Sequence, residues 1–167
     1  MRSAQPLPLS FESIHEASHV ILAAYVGATN IYVLLHFGKP RTGFTHSLAS
    51  PGLIMSYAGY AGDRLLSKLT ESDCIARSAS DGVLRQMILE KMANPIVEAG
   101  VCDGAKHLAL ALVERFRREI YEAAVVIQRS MWQCRSIPAE AIEQLECVAR
   151  VRALGDAERE IEAGNGQ

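Results

Sequence analysis

Two histidines and a glutamate near the amino terminus have the spacing of a metal site. The segment from His15 to His19 reads His-Glu-Ala-Ser-His and falls within a predicted helix. Residues four apart on a helix project from the same face, so both imidazoles can reach one metal ion at about 2.0–2.1 Å. Glu16 would then contact a water molecule on the metal without binding the metal itself. This pattern is typical of zinc peptidases, in which the glutamate is the general base.

The same residues also allow a purely structural interpretation. The histidines could lie on the surface of an amphipathic helix, with the glutamate closing a capping box on Ser13. That interpretation requires a helix beginning at Ser13. However, Phe11 and Ile14 fit the apolar stripe better if the helix begins near Ser10. We therefore expect metal binding.

A catalytic zinc site normally has three protein ligands and an open position for water. The third ligand must come from elsewhere in the chain, and chemistry alone does not choose among the candidates. Asp81 is attractive because a Ser-Ala-Ser-Asp segment leads into a predicted helix, which would hold the carboxylate in place. An aspartate there also has an ordinary role in stabilising the helix dipole. The candidates are Asp63, Glu71, Asp73, Asp81, His36 and His46.

The elements that must position these residues are mainly helices. The sequence predicts a mainly α fold with a small β-hairpin, in one domain over residues 10–154. Residues 1–9 are expected to form an extended arm, and residues 155–167 are expected to fray or be disordered because they lose the apolar stripe. The predicted elements are a helix from Ser10 to Val26, strands at Ile31–His36 and Thr42–Leu48 around a turn at Gly38–Arg41, a helix from Ser50, a loop at Thr70–Ser80, a helix around Val83–Ile88, a long helix at Asp103–Cys134 and a last helix from Ser136 to Leu154.

Composition and charge exclude several functional classes. The 167 residues are 49% apolar, with a net charge of -2, so neither whole-chain disorder nor a basic nucleic-acid surface is expected. Arg115, Arg117 and Arg118 are clustered, but glutamates neighbour them, as on a solvated helix face.

Nothing in the sequence predicts membrane insertion or secretion. Polar residues and a glycine interrupt the longest apolar stretch, Val20–Leu35, and we expect no signal peptide at Met1–Ser10. The four cysteines are far apart in the sequence and are expected to be reduced thiols. We therefore expect a cytoplasmic protein.

Beyond the metal helix, the chain resembles the zinc peptidase domain of the FtsH-type ATP-dependent proteases. The family's metal helix reads His-Glu-Ala-Gly-His, and a serine replaces the glycine here. The similarity extends over about residues 10–153. The matching segments are Thr42–Thr45 for the second hairpin strand, Ala58–Asp63 for a Gly-Gly-Arg-Ala-Ala-Glu helix, Arg77–Asp81 for the loop with the third zinc ligand, and Tyr121–Ala124 in the carboxy-terminal helical pair.

The resemblance implies an FtsH-peptidase-like zincin helical domain that hydrolyses peptide bonds. Zn²⁺ would be held by His15, His19 and Asp81, and Glu16 would activate the zinc-bound water. Since Gly82 follows this aspartate where the family has an apolar residue, the register could differ by one residue.

In that event Asp73 is the second choice for the third ligand. The edge strand Thr42–His46 could align an extended peptide by strand addition, so the expected substrates are peptides or unfolded proteins. Two histidines and a carboxylate would also suit iron, although zinc is expected.

The family's ring-shaped motor normally feeds unfolded chain to the peptidase, and this sequence contains neither an ATPase domain nor a membrane anchor. A separate ATPase partner and self-association therefore both remain open. One alternative is a catalytically silent scaffold or regulatory binding protein that retains the peptidase fold. Another is a different zinc hydrolase whose third ligand is a glutamate or a histidine.

Overall fold

A computed structural model describes the backbone of residues 8–46, 49–90 and 95–165, and the side chains of 8–46, 51–90 and 100–165. This part of the chain is mainly helical, with one two-stranded antiparallel hairpin, which confirms the predicted fold class at this level. Residues 1–7 of the predicted arm lie outside the described residues. The elements are α1 (Phe11–Tyr25), β1 (Thr29–His36), β2 (Lys39–Thr45), α2 (Ala49–Ser56), α3 (Ala58–Leu65), α4 (Glu71–Arg77), α5 (Ala79–Leu89), α6 (Pro95–Arg115), α7 (Arg117–Trp132), α8 (Ala139–Glu143) and α9 (Glu146–Asn165).

Helix α1 is the centre of the fold and begins as predicted. The side chain of Ser10 caps it by accepting a hydrogen bond of 3.1 Å from the amide of Ser13. Between Ser13 and Ala24 every residue except Glu16 is buried. The hairpin and helices α3, α7 and α9 all pack around α1. A helix that is apolar on most sides needs such enclosure, because it has no face suited to water.

The hairpin turn lies earlier in the chain than predicted. Phe37 and Gly38 form a two-residue turn in which both have positive φ, 48° and 76°, as a type I′ turn requires. Lys39 pairs with His36 across the turn and already belongs to β2. The predicted turn at Gly38–Arg41 is therefore wrong, because a phenylalanine takes the left-handed position usually given to glycine or asparagine. Residue 48, where the second strand was predicted to end, lies outside the described residues.

Two predicted segments are divided differently in the structure. The predicted loop at Thr70–Ser80 contains α4, which begins because the Thr70 side chain accepts a hydrogen bond from the amide of Asp73. The predicted long helix is two helices separated at Phe116, whose ring is buried in the core. The first of them, α6, already begins at Pro95, since proline suits the first turn of a helix.

The carboxy-terminal helix extends beyond its predicted end. Instead of one helix ending at Leu154, the structure has the short α8 and then α9, which continues to Asn165. The prediction that the tail frays from residue 155 was based on its missing apolar stripe. Polar contacts replace that stripe: Glu158 accepts a hydrogen bond of 2.5 Å from the Tyr25 hydroxyl, and Arg159 donates to the Tyr25 carbonyl.

No helix within the described residues is long and apolar enough to cross a lipid bilayer.

Candidate metal centre

Three side chains from two helices converge beside α3. His15 and His19 lie one turn apart on α1, and each is 6% exposed. Asp81, in the first turn of α5, places its Oδ2 atom 3.4 Å from Nε2 of His15 and 3.3 Å from Nε2 of His19. The structure thus brings together the three residues that the resemblance implied as ligands.

The two distances from Asp81 to the histidines fit a tetrahedral metal ion. Bonds of about 2.0–2.1 Å at tetrahedral angles place neighbouring ligand atoms about 3.3 Å apart. The two distances to Asp81 have this value. Its Oδ2 atom is also buried and accepts no well-formed hydrogen bond from any described residue, which leaves its lone pairs available. The donor set of two imidazoles and a carboxylate suits zinc.

A glycine of α3 closes one side of the cluster. A Cβ atom added to Gly59 would overlap the ring of His15 and come within 2.7 Å of Nε2 of His19. The helix backbone can therefore approach both imidazoles only because this residue has no side chain. Any larger residue would compete for the space at the Nε2 atoms of both histidines.

Behind His15 lies a second carboxylate, that of Asp63 on α3. It is fully buried and accepts a hydrogen bond of 2.9 Å from Nδ1 of His15. Nε of Arg77, on α4, donates to the same oxygen at 3.0 Å. The bond to Nδ1 holds the imidazole so that Nε2 faces Asp81, as carboxylates behind metal-binding histidines do. Asp63 was a candidate third ligand, and the structure places it behind His15 instead.

The electrostatics of the cluster favour positive charge at its centre. Burial lowers the pKa of His15, but the carboxylates of Asp63 and Asp81 raise it by more than burial lowers it, so that the pKa is about 10. Burial raises the pKa of Asp81, but the adjacent imidazoles of His19 and His15 outweigh burial and hold this pKa below its usual value. The two carboxylates therefore stabilise positive charge beside His15, and a divalent cation would supply such charge.

The other predicted candidates for the third ligand lie outside the cluster. Asp73 is exposed in the first turn of α4 and accepts a hydrogen bond of 2.5 Å from the hydroxyl of Thr70, so the second choice is not supported by its position. The remaining three candidates make other contacts. Glu71 accepts hydrogen bonds from Tyr60 and Lys106. His36 is exposed beside Phe37, and His46 contacts the carbonyl of Val26.

Glu16 lies on the exposed side of the metal helix, where it contacts the hairpin. Its Oε2 atom accepts a hydrogen bond of 2.6 Å from the amide of Thr42, and the Thr42 hydroxyl donates to the Glu16 carbonyl at 3.1 Å. Within the described part of the chain, no hydrogen bond is made by Oε1. One carboxylate oxygen is therefore anchored to β2, while the other is available to a reactant.

Two cavities meet at this glutamate, one on each side of the cluster. A cavity of about 200 Å³ borders His19, Asp81 and the apolar residues Phe44 and Leu84. A second, of about 290 Å³, borders His15. Glu16, Arg41 and Ser80 line both, so the two form one cleft that runs past the cluster along β2.

The sequence did not reveal Arg77 as part of the site. It occurs in the segment compared with the FtsH-type loop, but its pairing with Asp63 joins residues 14 positions apart on different helices. No local spacing indicates such a contact.

No protein-family model matches the chain, and none of the curated proteins matches it. The resemblance to FtsH-type peptidases accordingly remains a hypothesis that depends on the motif and the order of the elements.

Proposed function

We propose that the protein is a zinc-dependent metallopeptidase of the FtsH-peptidase-like kind. The observation that carries this proposal is the position of the Asp81 Oδ2 atom, 3.4 Å from Nε2 of His15 and 3.3 Å from Nε2 of His19, with Glu16 lining the two cavities that border these residues. Zn²⁺ held by these three residues would polarise a peptide carbonyl and lower the pKa of water in its open coordination position.

Glu16 is the general base in this proposal. Thr42 fixes Oε2 of the carboxylate, so Oε1 can accept a proton from water as the peptide carbonyl is attacked. The same carboxyl then returns the proton to the leaving amine. Asp63 acts as a positioning residue, because its hydrogen bond to Nδ1 orients His15.

The cleft favours an extended chain as the substrate. Strand β2 borders both cavities through Arg41 and one of them also through Thr42, and in the described hairpin it pairs only with β1. The outward amide of Thr42 is already bonded to Glu16. A peptide added along the outer edge on either side of this amide would pass the cluster, which supports peptides and unfolded proteins as the substrate class. A separate ATPase that unfolds such substrates is a compatible partner.

The test combines metal content with turnover. Zinc per chain is measured on untagged wild type and on the His19→Ala, Asp81→Ala and Glu16→Gln variants. Hydrolysis of a fluorescein-labelled unfolded protein is then followed. We expect about one zinc in wild type and in Glu16→Gln, and a sharp loss in the other two variants. Turnover by Glu16→Gln should fall about 10²- to 10⁴-fold.

Each contrary outcome points to a different conclusion. Wild type without zinc after zinc is offered would refute the metal centre. Full zinc in Asp81→Ala would indicate a zinc hydrolase with another third ligand. Stoichiometric zinc without hydrolysis by wild type would favour the catalytically silent scaffold.

A further inference from the structure

A separate cavity of about 310 Å³ lies between α3, the junction of α4 with α5, and α6. It shares no lining residue with the two cavities at the metal cluster. Its volume is at the lower end of the range that small-molecule sites occupy. The lining residues are Tyr57, Tyr60, Ile75, Ser78, Arg85 and Lys106.

Ser78 in this cavity carries a buried hydroxyl that has no partner among the described residues. The residue is 6% exposed, and its Oγ atom has no hydrogen bond with any described residue. It occupies the N-cap position of α5, yet its side chain makes no capping bond. Buried hydroxyls are nearly always paired, so this one indicates a missing partner in the cavity.

Arg85 supplies a cation that no described carboxylate neutralises within ion-pair distance. Its guanidinium lies 3.8 Å from the centre of the Tyr57 ring and donates to the carbonyl of Ser56 at 3.1 Å. A guanidinium has five N–H donors, so several remain for a ligand. Stacking on the ring holds the planar group in place, which prepares it to bind a planar anion.

Lys106 adds a second cation, which lies over the ring of Tyr60. Its Nζ atom lies 4.6 Å from the centre of the Tyr60 ring and 3.2 Å from Glu71. Glu71 also pairs with Arg64 at 3.7 Å, so this one carboxylate is shared. Among the described residues, the charge around the cavity is therefore positive.

We propose that this cavity binds a small organic carboxylate with an apolar body. The carboxylate would accept hydrogen bonds from Arg85 and Ser78, because a planar anion matches the guanidinium fork. The rings of Tyr57 and Tyr60 and the side chain of Ile75 would enclose the apolar body.

Binding is measured by isothermal titration calorimetry on metal-free protein, so that the carboxylate cannot bind a metal ion instead. The probes are 3-phenylpropanoate, its neutral amide and inorganic phosphate. We expect 3-phenylpropanoate to bind with a dissociation constant of about 1 mM or lower, and the amide to bind at least about tenfold more weakly. Equal affinity for the amide, or no saturable binding of the carboxylate, would overturn the proposal. Binding of phosphate alone would refute the apolar part.

Two variants assign the binding to this cavity. Arg85→Gln should weaken 3-phenylpropanoate about tenfold or more, and Ser78→Ala should weaken it several-fold. Ser78→Ala should leave the unfolding midpoint of the free protein unchanged or higher, because its hydroxyl makes no bond there. Arg118→Gln is the matched control, since Arg118 is exposed on α7 and the charge change is the same. Wild-type affinity in both cavity variants would show that the ligand binds elsewhere.

Discussion

Asp63 lies behind His15, and its Oδ2 atom accepts a hydrogen bond of 2.9 Å from Nδ1 of that imidazole. The carboxylate is fully buried, and Arg77 is its second donor. The imidazole therefore has one nitrogen fixed by the protein and the other facing Asp81. Such a bond sets the ring tautomer and raises the basicity of the metal-binding nitrogen.

Asp63→Asn should weaken zinc binding about 10- to 100-fold, because the amide keeps the shape of the carboxylate but loses its charge. Competition with a fluorescent chelator measures the zinc affinity. Asp103→Asn is the control, since Asp103 is exposed on α6 and distant from the cluster in sequence, whereas Asp63 is fully buried. An affinity equal to that of the control would show that Asp63 does not position the ligand.

Gly59→Ala should abolish stoichiometric zinc binding. The added methyl group would overlap the His15 ring and approach the Nε2 atom of His19. Such overpacking also typically costs about 1–3 kcal/mol of stability. Zinc content and circular dichroism are measured on the same preparation, so that loss of metal is separated from loss of fold.

Gly104→Ala is the matched control for this substitution. Gly104 lies in α6, and a Cβ atom there meets no atom within 4 Å. The control should keep its zinc and gain up to about 1 kcal/mol from the better helix propensity of alanine. A folded Gly59→Ala protein with full zinc would contradict the close approach of α3.

The sequence predicted the features that depend on local spacing. Ser10 caps α1 as expected, and the four-residue spacing of His15 and His19 places both on one face. The choice of Asp81 came from the resemblance, because spacing alone left six candidates. Asp81 is far from the histidines along the chain, so its contact with them depends on how the helices pack in the folded protein.

The features that sequence reasoning missed depend on contacts between distant segments. The contact between Asp63 and Arg77 joins two helices, and neither residue type marks it in advance. The turn at Phe37 was missed because its positive φ is rare for an aromatic residue. Residues beyond Gly155 lack an apolar stripe, yet polar contacts with Tyr25 hold them in α9.

Ser10→Ala should lower the unfolding free energy by about 1 kcal/mol, since it removes the hydroxyl that accepts from the Ser13 amide. For a chain of this length the thermal midpoint should fall by roughly 2–4 °C. Differential scanning calorimetry measures the change. Ser78→Ala provides the comparison, because Ser78 occupies an N-cap position without a capping bond. Equal losses in both variants would show that the Ser10 cap does not stabilise α1.

Gly155→Ala should destabilise the protein although it replaces glycine within a helix. A Cβ atom at this position would overlap the carbonyl oxygen of Tyr25, so α9 would have to move away from the end of α1. We expect a net loss of about 1–3 kcal/mol, read from the urea midpoint of the far-ultraviolet circular dichroism signal. Gly164→Ala lies in the same helix with no atom within 4 Å of its Cβ, and should be neutral or slightly stabilising. If both glycine variants unfold at the same urea concentration as wild type, α9 does not pack against Tyr25 and the predicted fraying of the tail becomes the better description.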